Sequence, residues 1–120
     1  MSSVIPRPPL PPGPYLVVGL ARSGIAAALA LRTAGAFVAG TDTRAIGADD
    51  AENLAAAGVV LHPAGDGLPA LTGARTVVKS PGVPQTAPVI RAARERGLRV
   101  VGELEIGWRL LPNPFVARVA

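Results

Sequence analysis

The amino-acid sequence predicts a doubly wound α/β domain, with five parallel strands in one sheet between two layers of helices. Three observations predict it. Strand-length apolar runs alternate strictly with Ala- and Leu-rich helical runs, an order that specifies parallel pairing through right-handed crossovers. Glycine follows three of the helical runs, at Gly35, Gly58 and Gly97, where a left-handed residue ends a helix. Apolar residues make up 49% of the chain and aromatics 3%, so the core is built from Ala, Val, Leu and Ile, which suit a parallel sheet buried on both faces. The expected strand order is 3-2-1-4-5.

The 120 residues fit one compact domain. Residues 1–14 hold Pro6, Pro8, Pro9, Pro11, Pro12 and Pro14. Proline lacks the amide donor and has a fixed φ, so this stretch reads as a disordered or polyproline-II leader. Order begins with the run Tyr15 to Val18, a short buried strand. Ser23 to Ala34 reads as a helix, Phe37 to Thr41 as the second strand, and Ala48 to Ala57 as the second helix. Val59 to His62 is the third strand, and a helical turn around Leu68 to Leu71 lies in the Gly/Pro-rich connection after it. Thr76 to Lys79 is the fourth strand, Ala87 to Arg96 the third full helix, and Val100 and Val101 the fifth strand. Glu103 to Leu111 is a last helix, ended by Pro112. The domain therefore spans 15–111, and 112–120 reads as a linker.

Composition excludes several chemistries. There is no cysteine, hence no disulfide, thiolate metal site or cysteine nucleophile. A single histidine, His62, cannot build a zinc cluster, and no metal site is expected. The net charge is +4, and Lys79 is the one lysine among twelve cationic side chains. That balance favours an anionic partner. Nucleic acid is the weaker choice, since the aromatic platforms on which single strands stack are nearly absent. Arg91, Arg94, Arg96 and Arg99 fall on and just after an amphipathic helix, where a solvated face accounts for them. The apolar stretch Tyr15 to Leu31 is interrupted by Arg22, Ser23 and Gly24, too early for a membrane span. With no signal-peptide h-region either, the chain reads as cytoplasmic, and it is expected to act as a monomer.

Three loops leave the carboxyl ends of the strands, where open α/β sheets bind ligands. Gly19-Leu20-Ala21-Arg22-Ser23-Gly24 is a G-x-A-x-x-G turn. Gly19 permits the tight turn, Gly24 lets helix and strand pack closely, and the first-turn amides of the helix form an anion site. Ala21 stands where a dinucleotide fold has its middle glycine, which disfavours NAD or FAD. Asp42-Thr43-Arg44 lies about 20 residues further on, where Rossmann-like folds place an acid for ribose hydroxyls; an N-cap or a solvent ion pair is the competing reading. Ser80-Pro81-Gly82-Val83-Pro84 makes a rigid turn whose backbone can approach a ligand. Lys79 beside it either reaches an anion or is solvated.

Taken together, VVGLARSG (17–24), TDTR (41–44), VVKSPGVP (77–84) and VVGELE (100–105) resemble, in order and spacing, the Mur ligases of peptidoglycan synthesis, in particular their D-glutamate-adding branch. The resemblance covers Tyr15 to about Phe115. It implies a pocket for UDP-N-acetylmuramoyl-L-alanine, with Leu20, Ala21 and Gly24 shaping the turn and Arg22 and Ser23 beside the diphosphate. Asp42, Thr43 and Arg44 would hold the uracil side, and Ser80, Pro81 and Gly82 would complete the cradle. It also implies a ligase that uses ATP and magnesium through an acyl-phosphate. Here the sequence departs from the family: where a strand like Pro114 to Ala117 should lead into a G-T-x-G-K-[ST] loop, it reads Arg118-Val119-Ala120. No Walker-type loop is present, so the chain is expected to bind the UDP-sugar without catalysing, and 112–120 to be the start of the missing ATP-binding domain. The alternatives are an NAD- or NADP-binding module and a non-enzymatic nucleotide sensor.

Overall fold

Tyr15–Val18 is the middle strand of the five-stranded sheet, paired in parallel with Val38–Thr41 on one side and Thr76–Lys79 on the other. The computed structural model describes residues 4–5, 9–110 and 115–116. In chain order the elements are β1 (Val4–Ile5), β2 (Tyr15–Val18), α1 (Arg22–Thr33), β3 (Val38–Thr41), α2 (Ala48–Ala56), β4 (Val60–Leu61), a 3₁₀ turn (Leu68–Leu71), β5 (Thr76–Lys79), α3 (Pro88–Glu95), β6 (Arg99–Gly102), α4 (Glu103–Arg109) and β7 (Phe115–Val116). The large sheet runs β4-β3-β2-β5-β6 and is parallel throughout. Counted from the Tyr15 strand this is the expected 3-2-1-4-5. Element ends move by a residue or two; β4 keeps only two of the four residues expected because it is an edge strand, with Val60 61% exposed. Among the described residues no helix is long and apolar enough to cross a membrane.

Side chains alternate across the central strands with period two. Tyr15 and Val17 pack with Ala28 and Leu31 of α1, Leu54 of α2 and Ile106 of α4. Leu16 and Val18 face the other way, onto Ala70 and Leu71 of the 3₁₀ turn and Val89, Ile90 and Ala93 of α3. Two apolar layers therefore sandwich one sheet. Leu54 is the one buried residue of α2, and burying a leucine contributes roughly 1.5–3 kcal/mol. Polar contacts complete that docking: Arg32, from the last turn of α1, donates Nε to the carbonyl of Ala57 and Nη1 to that of Ala36, both at 2.9 Å. The stops expected at Gly35, Gly58 and Gly97 all have positive φ.

Residues 9–14, the described end of the leader, bind the domain through their backbone carbonyls. Proline has no N–H, but its carbonyl still accepts, and here the carbonyls are used. Thr76 Oγ1 donates to Pro12 O at 2.7 Å, Arg75 N to Pro14 O at 2.9 Å, and Arg109 Nη1 to Pro9 O at 2.9 Å. The Tyr15 hydroxyl donates to Pro11 O, and Pro11 itself is buried. Residues 9–14 thus form a strap over the amino ends of β2 and β5. Further out, β1 pairs antiparallel with β7. The rest of the expected leader and most of the expected 112–120 linker, with Pro112 as helix end, lie outside the described residues.

Candidate functional site

At the carboxyl ends of β2, β3 and β5 the connecting loops enclose a cavity of about 810 Å³. Backbone bonds carry the sheet ladder outward into these loops: Gly19 N donates to Thr41 O at 2.9 Å and Ser80 N to Val18 O at 3.0 Å. The first loop turns at Gly19, whose φ is +96°. A β-carbon there would lie 2.7 Å from Ser80 Cβ and 3.1 Å from Val83 Cγ2, so both the turn and its close contact with the third loop require glycine. Gly24 is needed for a different reason. Its missing Cβ would sit 1.8 Å from the carbonyl oxygen of Gly19, so the first turn of α1 rests directly on the strand end.

Asp42 links the first two loops. Its Oδ2 accepts the amide of Leu20 at 2.7 Å and its Oδ1 the amide of Arg44 at 2.9 Å. The aspartate is half-buried and its carboxylate is shaped by two backbone donors, neither of them a helix cap nor a solvent ion pair. Each oxygen keeps a lone-pair direction free for a further donor. The carbonyl of Asp42 in turn accepts the amide of Gly65 at 3.1 Å, fixing the loop after β4 as another wall.

Of the residues singled out in the sequence, Leu20, Ala21, Asp42, Thr43, Arg44, Ser80 and Gly82 line the cavity. Arg22, Ser23, Gly24 and Pro81 do not. Arg22 and Ser23 are exposed at the start of α1, Pro81 is exposed on the outside of its turn, and Gly24 is buried under Gly19. Ile25 N makes the helical bond to Ala21 O at 2.9 Å, which leaves the Arg22, Ser23 and Gly24 amides as the free end of α1. Sequence reasoning missed Ile46, Asp50 and Asp66 on the walls, and Val83 of the third loop joins them there. Only Asp66 carried a local signal, an Asx turn in which its Oδ1 accepts the amide of Leu68 at 3.0 Å.

The charge around the cavity is the reverse of the chain's own. Asp42, Asp50 and Asp66 line it against Arg44 alone, although the chain carries +4. The cationic excess lies elsewhere, in part on exposed Arg91, Arg94, Arg96 and Arg99. The GELE segment sits behind the first loop. Glu103 is 5% exposed, its Oε2 has no hydrogen-bond partner, and that oxygen is 3.7 Å from the β-carbon position of Gly24. A carboxylate therefore stands near the positive end of α1, which has neither a side-chain cap nor an acidic residue in its first turn. Among the described residues no group of three or more His, Cys, Asp or Glu is placed to hold a metal ion.

Comparison with known proteins places residues 14–102 in a family model described as Mur ligase MurD-like, N-terminal domain. Curated relatives include the UDP-N-acetylmuramoylalanine--D-glutamate ligases of Acidobacterium capsulatum, 39% identical over 85% of this chain and 23% of the relative, and of Frankia casuarinae, 44% identical over 80% and 21%. That of Anaeromyxobacter dehalogenans is 46% identical over 79% of this chain and 21% of its own length. The chain thus spans about a fifth of these relatives. Among solved structures, a murein peptide ligase from Psychrobacter arcticus superposes with a TM-score of 0.70 at 23% identity, over 77% of this chain and 19% of that one. At that identity the likeness is one of fold.

Proposed function

The chain belongs to the family of Mur ligase MurD-like N-terminal domains, and from that premise we propose that its cavity binds the UDP part of UDP-N-acetylmuramoyl-L-alanine for an ATP-dependent, D-glutamate-adding ligase. One observation carries the reading: the Asp42 carboxylate, aimed by the Leu20 and Arg44 amides into a cavity walled by all three loops. A wall holding three carboxylates is rich in acceptors, so it suits a ligand portion that is uncharged and rich in donors. A uracil imide and ribose hydroxyls have that character. The diphosphate carries the opposite requirement, and it belongs outside the acidic wall, at the free amides of Arg22, Ser23 and Gly24 with the Arg22 guanidinium beside them. Ser80 and Gly82 close the third side.

The chain's own role is to bind and orient. Amide formation in a ligase of this kind draws on ATP and magnesium, and the 120 residues contain no phosphate loop for them. By itself the chain binds its nucleotide without releasing phosphate from ATP. Ala21, which lines the cavity where a dinucleotide fold has glycine, disfavours the close backbone approach of a dinucleotide pyrophosphate.

Thermal denaturation with added ligand tests the reading. A ligand that binds only the folded state stabilises by mass action, about 2.7 kcal/mol at a hundredfold excess over its Kd. UDP-N-acetylmuramoyl-alanine is expected to raise the melting temperature and NADH to leave it unchanged. Arg94→Ala is the control, because Arg94 is exposed, lies away from the cavity and donates to Gln85 Oε1. A shift with NADH but not with UDP would transfer the site to dinucleotides.

A further inference from the structure

We infer that Lys79 is a positioning residue for the proposed UDP site, holding the third loop against the first through its ammonium group; the inference rests on that functional reading. Lys79 ends β5 and is partly buried, and it does not line the large cavity. Its Nζ turns back onto the loop that follows, donating to the carbonyl of Val83 at 2.6 Å and to that of Ser80 at 3.1 Å. The Ser80 carbonyl also accepts the amide of Val83 at 3.0 Å. One cation thus holds both ends of a four-residue turn.

The composition of the turn explains why a side chain does this. Pro81 and Pro84 supply no amide, so the loop has few backbone donors of its own. Gly82 has open space around it and imposes no packing constraint. A donor from outside the turn is needed to define its shape, and an ammonium on a flexible four-carbon stem can reach two carbonyls at once.

The shape matters because Ser80 and Val83 both line the large cavity and both touch the turn at Gly19. Ser80 Cβ stands only 2.7 Å from where a Gly19 β-carbon would be, so the third loop packs against a turn that glycine alone allows to come so close. Moving outward, the loop would open the wall opposite Asp42. Lys79 acts from behind: it lines a smaller cavity of about 270 Å³ together with Gln85, Arg94 and Glu103. Its effect on a nucleotide therefore passes through the Ser80 and Val83 wall, not through contact.

Two variants of the chain test this. Lys79→Met keeps the stem and removes the donors, and Lys79→Arg keeps charge and donors. Amide hydrogen exchange without ligand is expected to show Val83 exchanging at least about tenfold faster in the Met variant, with Leu16 and Val17 of β2 unchanged. Calorimetry with UDP is expected to show affinity falling about tenfold in the Met variant and recovering to within about threefold in the Arg variant. Unchanged protection of Val83 would overturn the inference, as would an equal loss at Val83, Leu16 and Val17, which marks a global stabiliser. Selective loss at Val83 with wild-type UDP affinity would also overturn it, since the turn would then not belong to the site. If the unmodified chain bound no UDP while Val83 lost protection selectively, the UDP reading would fall and the hold of Lys79 on its turn would stand.

Discussion

Asp42 and Leu20 lie 22 positions apart in the chain and are joined by a 2.7 Å hydrogen bond from the Leu20 amide to Asp42 Oδ2. With Oδ1 taken by the Arg44 amide, the carboxylate has a backbone donor on each oxygen before any ligand arrives. A change at this residue therefore bears on the fold and on the proposed site together.

Asp42→Asn follows directly. Whichever way the new amide is turned, its NH₂ faces a backbone N–H, so one of the two bonds is lost and a donor is left opposed. The variant is expected to lose about 1–3 kcal/mol in urea unfolding without ligand, and most of the ligand-induced rise in melting temperature as well. Unchanged stability of the free protein would contradict the two-amide geometry.

Two glycines separate packing from ligand contact. Gly24→Ala places a methyl group 1.8 Å from the Gly19 carbonyl, a collision with backbone that no rotamer relieves. This variant is expected to fold poorly or to melt well below the parent. Gly82→Ala meets nothing within 4 Å and is expected to melt with the parent, while weakening UDP because Gly82 lines the cavity. Parallel melts with and without UDP distinguish the two.

Arg32→Met retains much of the aliphatic stem and removes the bonds to the Ala57 and Ala36 carbonyls. Bonds involving a charged donor contribute about 1.5–3 kcal/mol, and the half-buried setting tempers the pair toward the lower end. A stability loss of about 2 kcal/mol is expected, with UDP affinity unaffected, since the clasp lies at the other end of α1.

Tyr15 provides a pH prediction. Burial raises its pKa above 10.0, and the charge of Arg109 opposes that shift more weakly. A folded-state pKa above the unfolded one means that the folded protein retains the proton longer. The associated stability is complete below about pH 10 and is lost as pH rises from there through the folded pKa. Because the chain has one tyrosine, its phenolate absorbance reports the titration directly. The midpoint is expected above 10 in the folded protein and near 10 in urea.

The parts of the site legible in the sequence were those with local chemistry. Gly19 and Gly24, Asp42, and Ser80-Pro81-Gly82 each advertise a turn or a strand-end acid from their immediate neighbours. Asp50 and Ile46 carry no such mark, and they join the cavity because the loop after β3 and the first turn of α2 form part of its wall. The charge balance pointed to an anionic partner but not to where it would sit. A chain-wide excess of arginine says nothing about which side chains face inward, and the cavity collects aspartates. Lys79 was ambiguous because its partners are carbonyls, which every residue has. The parallel pairing of the strands, by contrast, follows from alternation and right-handed crossovers.

The proline strap makes a non-covalent ring of the domain. Arg109 donates to Pro9 across 100 positions and Thr76 to Pro12 across 64, so the last helix and the segment before the first central strand close on each other. Such closures form only when nearly the whole intervening chain is in place, and contacts of long sequence separation slow folding. A chain emerging from the ribosome with residues 9–14 already made must wait for Arg109 before the ring can shut. The strap is thus a late-assembling lock, and its bonds should contribute more to resisting unfolding than to hastening folding.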